Sequence, residues 1–238
     1  MGKEYTFDHC NQGKPICARN ISIFSSLSDL ELANIIKLVI KRESIKGEVL
    51  CREGEVSDNL FLIRDGKIKI SKVTKSGKEQ ILHILTKGDF FGEANLFDDK
   101  ESNFTATAIS NAKVGTLSKS NLEQILKMNP QISMKILKEL SHKLVETEEL
   151  AKFLATKDVD ARIASMLLEF SNKFGKLVDG KMHIDLPLNR EDMANYCGIT
   201  RETISRKLSK FENENIIELK GNKVVIIKDM DLIKDLSE

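Results

Sequence analysis

The sequence predicts an α+β chain: an N-terminal β-roll (jelly roll), a long dimerising helix and a C-terminal winged helix-turn-helix. Three observations carry that expectation. Glycine turns cut residues 42–118 into short apolar or β-branched runs at intervals of roughly 8–12 residues, the pattern of a small barrel or jelly roll. Apolar residues from Leu137 to Leu154 then recur at alternating steps of three and four. Finally, two short amphipathic stretches meet at Gly198 and are followed by a pair of β-branched runs.

In chain order, residues 1–20 form an arm with little apolar patterning that carries His9, Cys10 and Cys17. From Ile21 a short helix is expected, capped near Ser28, with Leu30, Ala33, Ile36, Leu38 and Ile40 at mainly helical spacing. The roll, taken as residues 21–129, contains the runs EVLCRE, NLFLIRDG, KIKISKVT, EQILHIL and TATAIS. Gly47, Gly54, Gly66, Gly77 and Gly88 mark its corners, where positive φ or close backbone approach suits glycine. After Asn129-Pro130 the period changes, and residues 130–157 read as one helix. Leu137, Leu140, Leu144, Thr147, Ala151 and Leu154 form an a/d seam on it. The chain offers no second long helix to cover that seam, so a symmetric homodimer, helix against helix, is expected. Residues 158–238 make the last domain: a helix ending at Gly175, the strand MHIDLPL, two helices joined through Gly198, and a hairpin turning at Gly221-Asn222.

Composition narrows the function classes. The formal net charge is only +1, so any nucleic-acid contact must come from a local patch rather than from a polybasic chain. No apolar run approaches the ~20 residues of a membrane span, and the polar start has no basic region leading into an apolar one. A cytoplasmic protein without a membrane partner is expected. The four cysteines, Cys10, Cys17, Cys51 and Cys197, are too scattered for a disulfide scaffold. No P-loop, GxSxG or HExxH constellation appears, so an enzyme is not expected.

The stretch LNREDMANYCGITRETISRKLSKFENENII is the most informative. Met193, Ala194 and Cys197 would face inward on its first helix. Thr200 would cap a second helix with an inner face of Ile204, Leu208 and Phe211. Arg201, Glu202, Ser205 and Arg206 then lie on or beside the outward face near the N-terminus, where recognition helices read base edges in the major groove. Arg can bridge guanine O6 and N7, and Glu can accept from cytosine N4. Arg190, Thr200, Thr203, Lys207 and Lys210 are the expected phosphate contacts, which orient without reading sequence. Taken alone, the charge pattern favours a solvated helix laced with salt bridges. The capped glycine turn, the polar N-terminal cluster and the following wing together reverse that reading in favour of double-stranded DNA.

ITRETISRKLSKFENENII resembles the recognition segment of the CRP/FNR superfamily of bacterial transcription regulators. The resemblance extends to the roll block GDFFGEANLF and the helix start NPQISMKILKEL, in the family's order, and covers the chain from about Ile21. It implies a cyclic-nucleotide-binding-like roll, a palindromic operator with TGA-containing half-sites, and RNA polymerase as a partner. Arg201, Glu202 and Arg206 match base-contacting positions of the CRP branch, while Glu202, Ser205 and Arg206 match the ExxSR motif of the FNR branch. TTGAT-like and TGTGA-like half-sites therefore both remain open.

By the same resemblance the effector pocket involves Gly92, Glu93, Leu96, Asn103, Phe104, Thr105 and Thr147. Gly92, Glu93, Leu96 and Thr147 agree with the cyclic-nucleotide cassette, but Asn103 and Phe104 stand where that cassette has Arg-Ser. A buried phosphate needs a paired cation, so neither cAMP nor cGMP is the expected effector. The FNR branch implies an iron–sulfur cluster, here with His9, Cys10, Cys17 and Cys51 as the available ligands, although four cysteines are usual. A Cys10–Cys17 thiol switch, a zinc or haem site on the same residues, and an arm of idle cysteines are the other open readings. His83, His142 and His183 stand alone and read as structural or solvated. A ligand-binding regulatory subunit, sharing the roll but not needing a reading helix, is the alternative function.

Overall fold

The computed structural model describes residues 21–24, 27–93, 101–155 and 158–237; the arm with His9, Cys10 and Cys17, and also Leu96, lie outside them. The chain divides into two compact units. One comprises Met1–Lys72 with Leu82–Val145, the other Val73–Ile81 with Glu146–Glu238.

In the first unit, α1 (Asp29–Leu38) starts where expected. Ser28 accepts from the Glu31 amide and the Glu31 carboxylate accepts from the Ser28 amide, a reciprocal capping box. The strands β1 (Ile40–Ser44), β2 (Val49–Cys51), β3 (Asn59–Asp65), β4 (Ile68–Val73), β5 (Glu79–Leu85), β6 (Phe90–Phe91), β7 (Thr105–Ala108) and β8 (Ala112–Ser118) build two four-stranded sheets, ordered β1-β8-β3-β6 and β2-β7-β4-β5. The five corner glycines all have positive φ. Strand β3 is buried on both faces, which explains why its run lacks clean alternation. Phe61 and Ile63 point to a core shared with Ile68, Ile70, Phe91 and Ala106. Leu60 and Leu62 point the other way, toward Phe90, Leu32 and Ile35.

That second core also receives α2 (Lys119–Met128), which the sequence reading had not separated from the roll, and the start of the long helix α3 (Pro130–Ala155). Ile132 and Ile136 are buried in it, and Leu140 packs partly against it.

The second unit holds α4 (Val159–Phe174), β9 (Gly175–Val178), β10 (Lys181–Asp185), α5 (Arg190–Cys197), α6 (Arg201–Asn213), β11 (Ile217–Lys220), β12 (Val224–Ile227) and α7 (Met230–Ser237). Its sheet runs β11-β12-β10-β9, antiparallel throughout. The expected strand MHIDLPL is shorter than read, because β10 ends at Asp185 before Pro187. Strand β9 and helix α7 are additions to the sequence reading. The hairpin at Gly221-Asn222 is present, with Lys220 opposite Val224.

Candidate nucleic-acid interface

Local chemistry sets the two helices that meet at Gly198. Asn189 caps α5 by accepting from the Asp192 amide at 2.9 Å. The helix stops at Gly198, whose φ of 64° and ψ of 38° place it in the left-handed region. A side chain there would carry the strain that makes glycine the usual helix terminator. Two residues later Thr200 Oγ1 accepts from the Thr203 amide at 3.3 Å and opens α6. Met193, Ala194, Cys197, Ile204, Leu208 and Phe211 are all buried, as their spacing predicts. With that face committed, Arg201, Glu202, Ser205 and Arg206 are all exposed on the first two turns of α6.

The charges around α6 are less free than the sequence suggests. Lys207 Nζ lies 2.7 Å from Asp160 Oδ1, and Lys210 Nζ donates to Asp160 Oδ2 at 3.0 Å. Burial opposes ionisation of Asp160, but the two ammonium groups outweigh it and hold the carboxyl below its ordinary range. Thr200 and Thr203 bring their hydroxyls within 3.0 Å of each other, so capping already engages both. The Glu202 carboxylate is held below its ordinary range by its own backbone amide and by Thr200, so it remains an acceptor. Arg190 is half-buried, with Nη1 directed to Met193 Sδ at 3.6 Å. On the wing, Lys220 and Lys223 flank the Gly221-Asn222 turn and are exposed. Neither lysine is among the phosphate contacts expected from the sequence. Their signal was there: two cations beside a tight turn that follows a recognition helix.

Cys197 has the opposite character to a redox thiol. Burial pushes its pKa up to about 12, only partly countered by Arg162. Cys51 is also buried, at 5% exposure. Among the described residues no group of three His, Cys, Asp or Glu side chains is placed to hold a metal ion.

In the first unit, Gly92 has a φ of 92°, and a Cβ there would fall 2.5 Å from the Asn59 carbonyl oxygen. Glu93, which follows, is buried, and its Oε1 accepts from Lys143 Nζ at 2.6 Å. At the two positions matched to Arg-Ser, Asn103 is exposed and Phe104 packs edge-on against Phe91, with ring centroids 6.1 Å apart. Phe91 in turn stacks on Phe61 at 4.6 Å. Thr105 Oγ1 accepts from the Glu53 amide at 3.1 Å, and Thr147 is exposed on α3. Uncharged Asn103 stands at the position matched to the Arg and the Phe104 ring at that matched to the Ser, so this pair supplies no cation for a phosphate.

Comparison with known proteins identifies both parts. Residues 41–129 match the cyclic nucleotide-binding domain, and residues 161–236 match the Crp-like helix-turn-helix domain. A probable transcriptional regulator of Lacticaseibacillus casei is 30% identical over 216 residues, covering 91% of this chain and 96% of its own. The chain belongs to the CRP/FNR family.

The cAMP-activated global regulator CRP of Salmonella typhimurium is a further relative of this CRP/FNR chain, 31% identical over 181 residues, 74% of this chain and 84% of its own. A structure of FixK2 from Bradyrhizobium japonicum shares the fold, with a TM-score of 0.75 at 24% identity over 84% of this chain and 98% of that one. CRP/FNR proteins are transcription regulators, and the helix-turn-helix match decides against the regulatory-subunit reading. No helix among the described residues is long and apolar enough to cross a membrane.

The seam residues of this CRP/FNR chain separate into two groups. Leu137 and Leu144 are 58% and 61% exposed, and Thr147 and Ala151 are exposed beside them. Leu140, which shares their spacing, instead packs partly against its own chain's core. Met134 and Val145 extend the exposed apolar surface. The Leu154 side chain lies outside the described set.

Proposed function

We propose that this CRP/FNR regulator acts as a homodimer that reads an inverted-repeat operator with TGA-containing half-sites. The observation carrying this reading is the exposed quartet Arg201, Glu202, Ser205 and Arg206 on a helix whose other face is buried. Arg190 and the wing residues Lys220 and Lys223 supply phosphate contacts, with the Thr200–Thr203 end of α6 approaching the backbone. Two copies joined along Leu137, Leu144, Thr147 and Ala151 would set their recognition helices roughly 34 Å apart, one helical turn of DNA. An effector that repacks this seam changes the separation and thereby gates affinity. RNA polymerase is the downstream partner and the cytoplasm the compartment. No catalytic role is assigned.

The effector is not a cyclic nucleotide in this reading, because Asn103 and Phe104 offer no phosphate clamp. Micromolar cAMP or cGMP binding by calorimetry would overturn that part. A redox or gas response in this reading draws on His9, Cys10 and Cys17 of the arm with Cys51 of the roll, through an iron–sulfur, haem or disulfide state. Absorbance spectra of anaerobically purified protein separate these states. The DNA reading is tested by anisotropy titration of inverted repeats carrying TTGAT or TGTGA half-sites against a scrambled duplex. Preference for one repeat, lost in Arg206→Ala with the dimer intact, supports it. Equal affinity for all three duplexes in wild type overturns it.

A further inference from the structure

Within α6, Lys207 and Lys210 sit one turn apart on a single flank, beside the base-reading quartet. In a charge inventory of the sequence they are the helix's main source of sequence-independent attraction to DNA. Both are nevertheless bound to one carboxylate, that of Asp160 in the first turn of α4, at 2.7 and 3.0 Å. The Asp160 side chain is 13% exposed, while Lys207 and Lys210 are 25% and 47% exposed. Lys210 has a second anion, Glu214, 3.8 Å away at i+4. With Asp160 and Glu214 opposite them, the two lysines add no net charge to the DNA-facing side of this unit.

We propose that Asp160 is a specificity-determining positioning residue that withholds Lys207 and Lys210 from the DNA backbone. The inference rests on the helix-turn-helix reading and deepens it. Phosphate contacts are blind to sequence and release counterions, so each adds affinity for every duplex alike. Tying up two such contacts lowers binding to random DNA without touching Arg201, Glu202, Ser205 or Arg206. The ratio of operator to random affinity therefore rises, and that ratio decides occupancy in a genome of competing sites. Asp160 lies 50 residues from Lys210 in sequence, on a helix with no base-reading role of its own. Its carboxylate also ties the Lys207–Lys210 flank of α6 to α4, while Arg206, on the neighbouring flank, stays exposed.

The test is the salt dependence of binding to a random-sequence duplex of fixed length, read by anisotropy in full-length wild type, Asp160→Asn and Asp160→Glu. The isosteric asparagine loses the charge, so both lysines become available. The slope of log affinity against log salt should steepen by about 1 to 2, since each phosphate contact contributes about 0.9. Binding to the random duplex should tighten several-fold. Asp160→Glu should track wild type, and adding Lys207→Gln plus Lys210→Gln to Asp160→Asn should restore the wild-type slope. In the Asp160 background the same two glutamines should leave the slope unchanged. This arm needs no Asp160 variant to fold. A slope in Asp160→Asn equal to wild type overturns the proposal, as does a loss of about 1 or more when the glutamines are placed beside an intact Asp160. Wild type that binds random DNA in either case keeps the helix-turn-helix reading standing. Wild type that binds no duplex at all removes both.

Discussion

Lys143 on the long helix donates to Glu93 Oε1 at 2.6 Å and to the Phe90 carbonyl at 3.0 Å, with its ammonium 4.3 Å from the Phe90 ring centroid. The other oxygen of the same carboxylate, Oε2, is buried with no hydrogen-bond partner among the described residues. One lysine thus offsets part of the cost of burying this acid, within the first unit.

Removing that lysine should cost more than removing the acid. Lys143→Met leaves a buried carboxylate unpaired and is expected to lower stability by about 1–3 kcal/mol. Glu93→Gln should cost less, and the double variant should recover part of the loss. Denaturant midpoints of the three variants check this, and strictly additive losses would show that the pair is not coupled.

The seam makes a paired prediction about Leu140 and Leu144, about one helical turn apart, which their spacing alone cannot tell apart. Leu144→Glu should shift sedimentation toward monomer while leaving the fold intact, because Leu144 is 61% exposed within one chain. Leu140→Ala should instead reduce the stability of the protomer itself, since Leu140 packs against the core cluster that includes Ile132 and Ile136. An unchanged sedimentation profile for Leu144→Glu would remove the seam from the dimer interface.

Cys197 should resist alkylation in the native protein. Its pKa of about 12 leaves almost no thiolate near neutral pH, and its burial blocks reagent. Mass spectrometry after iodoacetamide treatment should find its peptide unmodified until denaturant is added. Labelling at the native rate of a free thiol would contradict the packing of the helix-turn-helix.

Asp160 adds an acid-sensitive contribution. Its folded pKa lies below the ordinary aspartate value, so its stabilisation is present above about pH 4, the unfolded range, and is lost as pH falls through the folded value. Lys207, Lys210, Glu214 and Asp158, whose carboxylate accepts from the Asp160 amide at 2.7 Å, are the charged groups near it. Thermal melts from pH 6 down to 2 should fall more steeply in wild type than in Asp160→Asn. Parallel curves would mean that the ion pairs do not stabilise this unit.

The reading helices were legible because their determinants are local: the Asn189 and Thr200 caps, the Gly198 turn, and apolar residues spaced to bury one face. The same holds for the Ser28 capping box and the glycine corners of the roll. Strand β9 and helix α7 were not legible. The first is four residues at a sheet edge with Leu177 left exposed, and the second is eight residues anchored by Ile233 alone among its buried positions. Short elements of this kind owe their state to the surface they pack on rather than to propensity. Leu137, Leu140 and Leu144 look equivalent in sequence, yet only neighbours distant in the chain separate the middle one from the others. Pairing of charge was likewise a tertiary decision. The sequence determined that Lys207 and Lys210 sit beside the reading face, but Asp160, some fifty residues away, decides what they touch, because Coulomb attraction acts through space while periodicity reports only along the chain.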